Sequence, residues 1–305
     1  MNRRQFSSSL LSVAGIPFLS WSEVERLLAQ FATQRLMASE LAKSYPLYEK
    51  AIESVLPIDG FRSSIALVNS TLRLVEYGVI DRGKFFDLYG SSGPLPPEFD
   101  NLLDVAANDK IVLTRANAGF YVNLLWPVGL SNFMAANVES PLNGDQLFGF
   151  ASTGGWTLGR EANGGSYFSR LPIVDLRAEE EARVVRIARS TFRPCCNNST
   201  FFQDCNHGSA LLGLLELGAS QGLSDDELYR EALAFNSFWF PNEYLRTALF
   251  FKVVRGTDWA DVDPRVVLGR DYSAGGPWQQ NVAAQIEAIP DLIPPARGLG
   301  AGCGV

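Results

Sequence analysis

A single histidine and only four cysteines in 305 residues leave this chain few side chains for imidazole or sulfur chemistry. One histidine excludes a blue-copper centre, which takes two. Four cysteines are too few to staple a chain of this length as a disulfide-rich scaffold. Basic residues are also in deficit, 26 Lys and Arg against 33 Asp and Glu, for a formal charge of −7. That balance argues against nucleic acid, which needs a basic face, and against a polybasic grip on anionic lipid. A small-molecule ligand remains compatible with it. Charged residues are 19% against 47% apolar, so disorder is excluded and a substantial core is possible. No internal repeat and no serine- or proline-rich linker separates two cores, and "STGGW" (Ser152–Trp156) lacks the lysine of a phosphate loop.

The chain opens "MNRRQFSSSLLSVAGIPFLS". Arg3 and Arg4, then Gln5 and Phe6, then an uncharged and mildly apolar stretch, resemble a bacterial twin-arginine export signal. The stretch is too short and polar for a membrane span, which takes about 20 apolar residues. The resemblance implies an exported, periplasmic protein with a signal over residues 1–32; the lack of repeats and linkers makes 33–305 one expected domain, mostly helical. Such signals belong to proteins exported folded, which directs attention to a cofactor inserted beforehand.

Helical periodicity dominates the rest of the chain. Pro46–Leu56 and Ser63–Gly78 carry it, as do "RGKFFDLYG", "PPEFDNLLDVAA" and Asp175–Phe192, the last acidic early and basic late. Ser224 with Glu227 makes a capping box for the next helix. Ala116–Val138 has no charge over its length, but its four asparagines and Pro127 suit a buried, proline-interrupted core segment better than lipid. Gly144–Gly165 holds seven glycines and is expected to be an ordered loop with short strand, able to approach another backbone. Gly208–Gly222, with leucines almost all the way round, is expected to be the central buried helix. The expected fold is mainly α.

Three of the four cysteines and the histidine fall in "RPCCNNSTFFQDCNHG" (Arg193–Gly208). Cys205 and His207 stand at the mouth of the buried helix, where backbone N–H groups and the dipole stabilise a thiolate. Three chemistries compete. Thiolate and imidazole ligands from Cys195, Cys196, Cys205 and His207 suit zinc, copper or iron, and hence a metal or redox cofactor and an oxidoreductase, although adjacent cysteines are unusual on one ion. A disulfide from Cys205 to Cys195 or Cys196 would instead make the loop a structural clamp in a non-catalytic protein. The third is a cysteine nucleophile, with Cys205 and His207 as catalytic candidates. "QDCNHGSALLGLL" resembles the nucleophile region of papain-like peptidases, a resemblance that implies an oxyanion role for Gln203 and attack by Cys205. That family's base is a histidine far downstream, and none follows His207 here.

Outside the cluster, Glu216 interrupts the leucine-rich helix and is expected to reach a solvated strip or a cation. Asp204, Asn197, Asn198 and Asn206 read as turn residues or as groups orienting ligands. "FNSFWFPNEY" (Phe235–Tyr244) reads as core packing or a pocket wall.

Overall fold

The computed structural model describes residues 45–89, 99 and 101–295. The chain divides into two units, Met1–Pro46 and Leu47–Val305, and the fold is that of the second. The export-signal segment 1–32 and Cys303 lie outside the described residues.

In chain order the main elements are α1 (Pro46–Val55), β1 (Phe61–Val68), α2 (Ser70–Glu76), α3 (Arg82–Asp87), β2 (Ala107–Leu113), α4 (Ala118–Ser131), α5 (Ala178–Ser190), α6 (Asn206–Ser220), α7 (Asp225–Trp239) and α8 (Pro241–Val254). Short helical turns occupy the chain from Pro264 to Glu287. The protein is therefore mainly α. Among the described residues the one sheet is the antiparallel pair β1–β2.

That sheet corrects the helix expected over Ser63–Gly78. "SSIALV" pairs with β2 and buries Ile65, Ala66 and Leu67. The turn into α2 then uses Val68 at φ 52, a left-handed conformation no helix passes through. Pairing with a partner strand and burial of Ile65, Ala66 and Leu67 outweigh helical spacing here. The helix expected from "PPEFDNLLDVAA" is likewise not seen over its described residues: 101–104 form turns, and Ala107 already belongs to β2. The glycine-rich stretch holds no named strand. It forms short turns at Leu147–Gly149, Ala151–Gly154 and Gly164–Ser166.

The core is the crossing of α4 and α6. Every α4 residue but Gly119 is buried, with Pro127 inside the helix, and α6 is buried from Gly208 to Ala219. A Cβ at Gly129 would lie 2.0 Å from the Ser209 carbonyl oxygen, and one at Gly213 would lie 2.4 Å from that of Leu125. The two helices thus meet backbone to backbone, an approach open only to residues without side chains. No helix among the described residues is long and apolar enough to cross a membrane.

The C-terminal end of α6 is tied to the sheet. The Gln221 side chain accepts from Ala66 N–H at 3.0 Å and donates to Ala66 C=O at 2.9 Å, as a neighbouring strand would. With one end fixed there and its middle pressed on α4, the start of α6 is held in place under the cysteine loop.

Candidate functional site

The loop before α6 begins as α5 ends. Phe192 pairs with Ser199 across an isolated bridge, and Thr191 Oγ1 meets Thr200 Oγ1 at 2.9 Å, so residues 193–198 are thrown out as a tight excursion. Gly275 N–H donates to Cys196 C=O and Gly276 N–H to Asn197 Oδ1, both at 2.8 Å, which clamps the outer side. Ser152 N–H, from the glycine-rich stretch, donates to Asp204 C=O at 3.1 Å. That stretch does approach another backbone, as expected.

At the centre stands Arg193, whose side chain has no exposed surface. A guanidinium carries five N–H donors, and here all five are placed. Nε donates to Cys205 Sγ at 3.1 Å, and Nη1 to the carbonyls of Asn198 and Ser199 at 3.1 and 3.0 Å. Nη2 donates to Phe202 C=O at 3.1 Å and pairs with Asp204 Oδ1. Room for the group comes from Gly208, where a Cβ would lie 2.4 Å from Arg193 Cζ. Burial opposes the charge, but Cys205, Cys196, Cys195 and Asp204 outweigh it and raise the Arg193 pKa. Sequence reasoning missed this residue. Its only signal was an arginine set directly before Pro194 and the cysteine pair.

Cys205 is itself the N-cap of α6, where Asp204 or Asn206 would be the ordinary choice. Its sulfur accepts from Gly208 N–H at 3.4 Å as well as from Arg193. Cys195 Sγ lies 3.6 Å from Cys205 Sγ, and the sulfurs of Cys195, Cys196 and Cys205 all fall within 4.8 Å of one another. Hydrogen bonds from Cys195 and Cys196 hold Cys205 well below the usual thiol range, burial resists, and Arg193 adds to the lowering. Cys195 is correspondingly pushed up by its bonds to Cys196 and Cys205 and by burial. Cys196 is lowered by its bond to Cys195, but its bond to Cys205 and burial prevail, and it too is raised. All three cysteines are free and half-buried, and no disulfide joins any two of them here.

His207 stands apart from that group. Its ring packs against Phe240, centroids 4.6 Å apart, and Trp239 at 5.9 Å, so the "FNSFWFPNEY" aromatics form its wall. Burial lowers its pKa, Cys205 raises it and Arg193 lowers it, leaving a net lowering. Gln203 is fully buried and donates to Gly129 C=O at 3.1 Å, so its amide serves the α4–α6 crossing and not the sulfur. Asp204, besides its pair with Arg193, accepts from Asn198 Nδ2 at 2.8 Å. Asn198 and Asp204 thus support the loop, while the Asn206 Oδ1 is buried with no partner among the described residues.

Glu216 meets neither solvent nor a cation, contrary to expectation. It is fully buried, and neither carboxyl oxygen has a hydrogen-bond partner of ordinary geometry among the described residues. Burial raises its pKa well above the usual range, and the neighbouring Asn132 amide offsets only part of this. Burial thus disfavours the charged form of this carboxyl, which stands about three helical turns from Cys205.

No family model, no curated protein and no solved structure matches this chain.

Proposed function

We propose that this protein binds a thiophilic transition-metal ion through Cys195, Cys196 and Cys205. The observation that carries the reading is the convergence of three free sulfurs, two of them 3.6 Å apart and all within 4.8 Å. Two sulfurs on one tetrahedral ion at about 2.3 Å stand about 3.8 Å apart, whereas a disulfide needs about 2.05 Å. Zinc, copper(I) and iron all accept such a donor set. Adjacent Cys195 and Cys196 contribute together because the loop bends through the Arg193 carbonyl, which accepts from Cys196 N–H.

Three protein ligands leave a coordination position for a small molecule, the arrangement of sites that act on a ligand. Arg193 balances the charge of the thiolates and orients the Cys205 sulfur from outside the ligand set. The arginine pair near the N-terminus supports export of the folded, loaded protein to the periplasm, and a redox role follows if the ion is copper or iron. A cysteine-hydrolase reading has no comparable support, since no base among the described residues is hydrogen-bonded to Cys205.

The deciding experiment is elemental analysis of the full chain, made without a histidine tag and refolded under reducing conditions with each metal in turn. About one equivalent per chain is expected, falling sharply in Cys195→Ser, Cys196→Ser and Cys205→Ser alike. Equal metal content in the triple serine variant would sink the proposal. Export is checked by changing Arg3 and Arg4 to Lys, which should strand the protein in the cytoplasm.

A further inference from the structure

We infer that Cys205 and Cys195 also form a dithiol couple that exchanges with a low-molecular-weight disulfide. This goes beyond metal binding and does not depend on it, because it needs two of the three sulfurs and assigns them different roles.

The roles come from geometry. Two N–H donors, Arg193 Nε and Gly208 N, converge on Cys205 Sγ at 3.1 and 3.4 Å. Those donors fix the Cys205 sulfur in place at the start of α6, beside Cys195, and so mark it as the one that attacks. Cys195 Sγ waits 3.6 Å from it, and closing to a bond of about 2.05 Å takes a shift of roughly 1.5 Å, within the reach of a side-chain rotation in a turn. Cys196 neighbours both sulfurs but takes no part in the bond that forms. Its carbonyl is anchored by Gly275 N–H, and its sulfur faces Asn198 C=O and Asp204 Oδ1, each at 4.0 Å. A bond between neighbours Cys195 and Cys196 is disfavoured further, because adjacent Cα atoms stand about 3.8 Å apart and an unstrained disulfide asks for about 4.4 Å or more.

The exchange balances in two steps. Cys205 gives up its proton to solvent and its sulfur attacks one sulfur of the disulfide RSSR, forming Cys205–S–S–R and releasing RS⁻, which takes up a proton. Cys195 then gives up its proton and attacks Cys205 Sγ. The mixed bond breaks, the second RS⁻ leaves and is protonated, and Cys195–Cys205 is formed. Two protein thiols are oxidised and one external disulfide is reduced to two thiols. Both cysteines keep only part of their surface exposed, so the first step calls for a slender disulfide, of the glutathione class.

The test uses the metal-free full chain, incubated with oxidised glutathione, quenched by alkylation and mapped by mass spectrometry. Wild type should lose two alkylatable thiols and yield a Cys195–Cys205 cross-linked peptide, with Cys196 and Cys303 alkylated. Cys196→Ser should give the same cross-link although it has lost a metal ligand, which separates this inference from the metal reading. Cys195→Ser should halt with glutathione on Cys205. A cross-link that uses Cys196, glutathione resting on Cys196 in that variant, or thiols that react only after denaturation would each overturn the couple.

Discussion

Arg193 and Cys205 are joined through a guanidinium-to-sulfur hydrogen bond of 3.1 Å, formed by an arginine with no exposed side-chain surface. The bond couples the loop's scaffold to its chemistry. The same guanidinium that gathers three loop carbonyls and Asp204 also points the sulfur toward Cys195. A buried cation is tolerated because every donor is matched, and that completeness makes the site sensitive to its loss.

Arg193→Met should therefore destabilise the fold by about 3–5 kcal/mol, leaving Asp204 and the carbonyls unpaired in the interior. Arg193→Lys should recover little, since an ammonium cannot reproduce the planar fork. Urea unfolding of the metal-free chain reads both. A Lys variant as stable as wild type would mean the fork geometry is irrelevant.

His207→Phe should keep the metal content of wild type within error, because the ring packs on Phe240 and Trp239 and stays outside the sulfur group. Loss of bound metal in this variant would show instead that the imidazole swings in as a fourth ligand.

Glu216 gives the stability a pH dependence of known sign. Its folded pKa is raised by burial above its unfolded value, so its favourable contribution is complete below the ordinary carboxylate range and is lost as pH rises through the folded value. Glu216→Gln should remove part of that decline and raise the melting temperature at pH 8 more than at pH 4. Glu231 and Glu243, also raised by burial, keep a residual slope in the same direction. An unchanged pH profile in the Gln variant would mean that the core carboxyl does not titrate as described.

Two glycine-to-alanine changes should have opposite effects. Gly213→Ala drives a Cβ to 2.4 Å from the Leu125 carbonyl oxygen and should cost about 3 kcal/mol or more. Gly119→Ala, in the first turn of α4 with nothing within 4 Å of the new Cβ, should gain up to about 1 kcal/mol from helix propensity. Denaturant midpoints decide the pair.

Much of the molecule is legible in its sequence. The absence of charge between Ala116 and Val138 and the leucines of Gly208–Gly222 mark the two core helices, because apolar runs of that length must be covered by one another. The Ser224–Glu227 box marks the start of α7, since both its hydrogen bonds close within one turn. Cysteines concentrated in one short loop mark the site by composition alone. The strand at Phe61–Val68 is hidden, because its apolar spacing also suits a helix and its partner lies some forty residues on, at Ala107–Leu113.

What the sequence determined by itself was therefore local: helices, caps, and which few residues have sulfur or imidazole to offer. Tertiary structure decided which of those groups meet. It folded residues 193–205 around a buried guanidinium and brought Cys195 to Cys205 across ten positions of chain. It also turned His207, only two residues further on, against an aromatic wall. The physical reason is that a short loop satisfies its backbone carbonyls wherever a donor stands. Here that donor is Arg193, admitted to the interior by Gly208, whose missing side chain leaves the space it occupies.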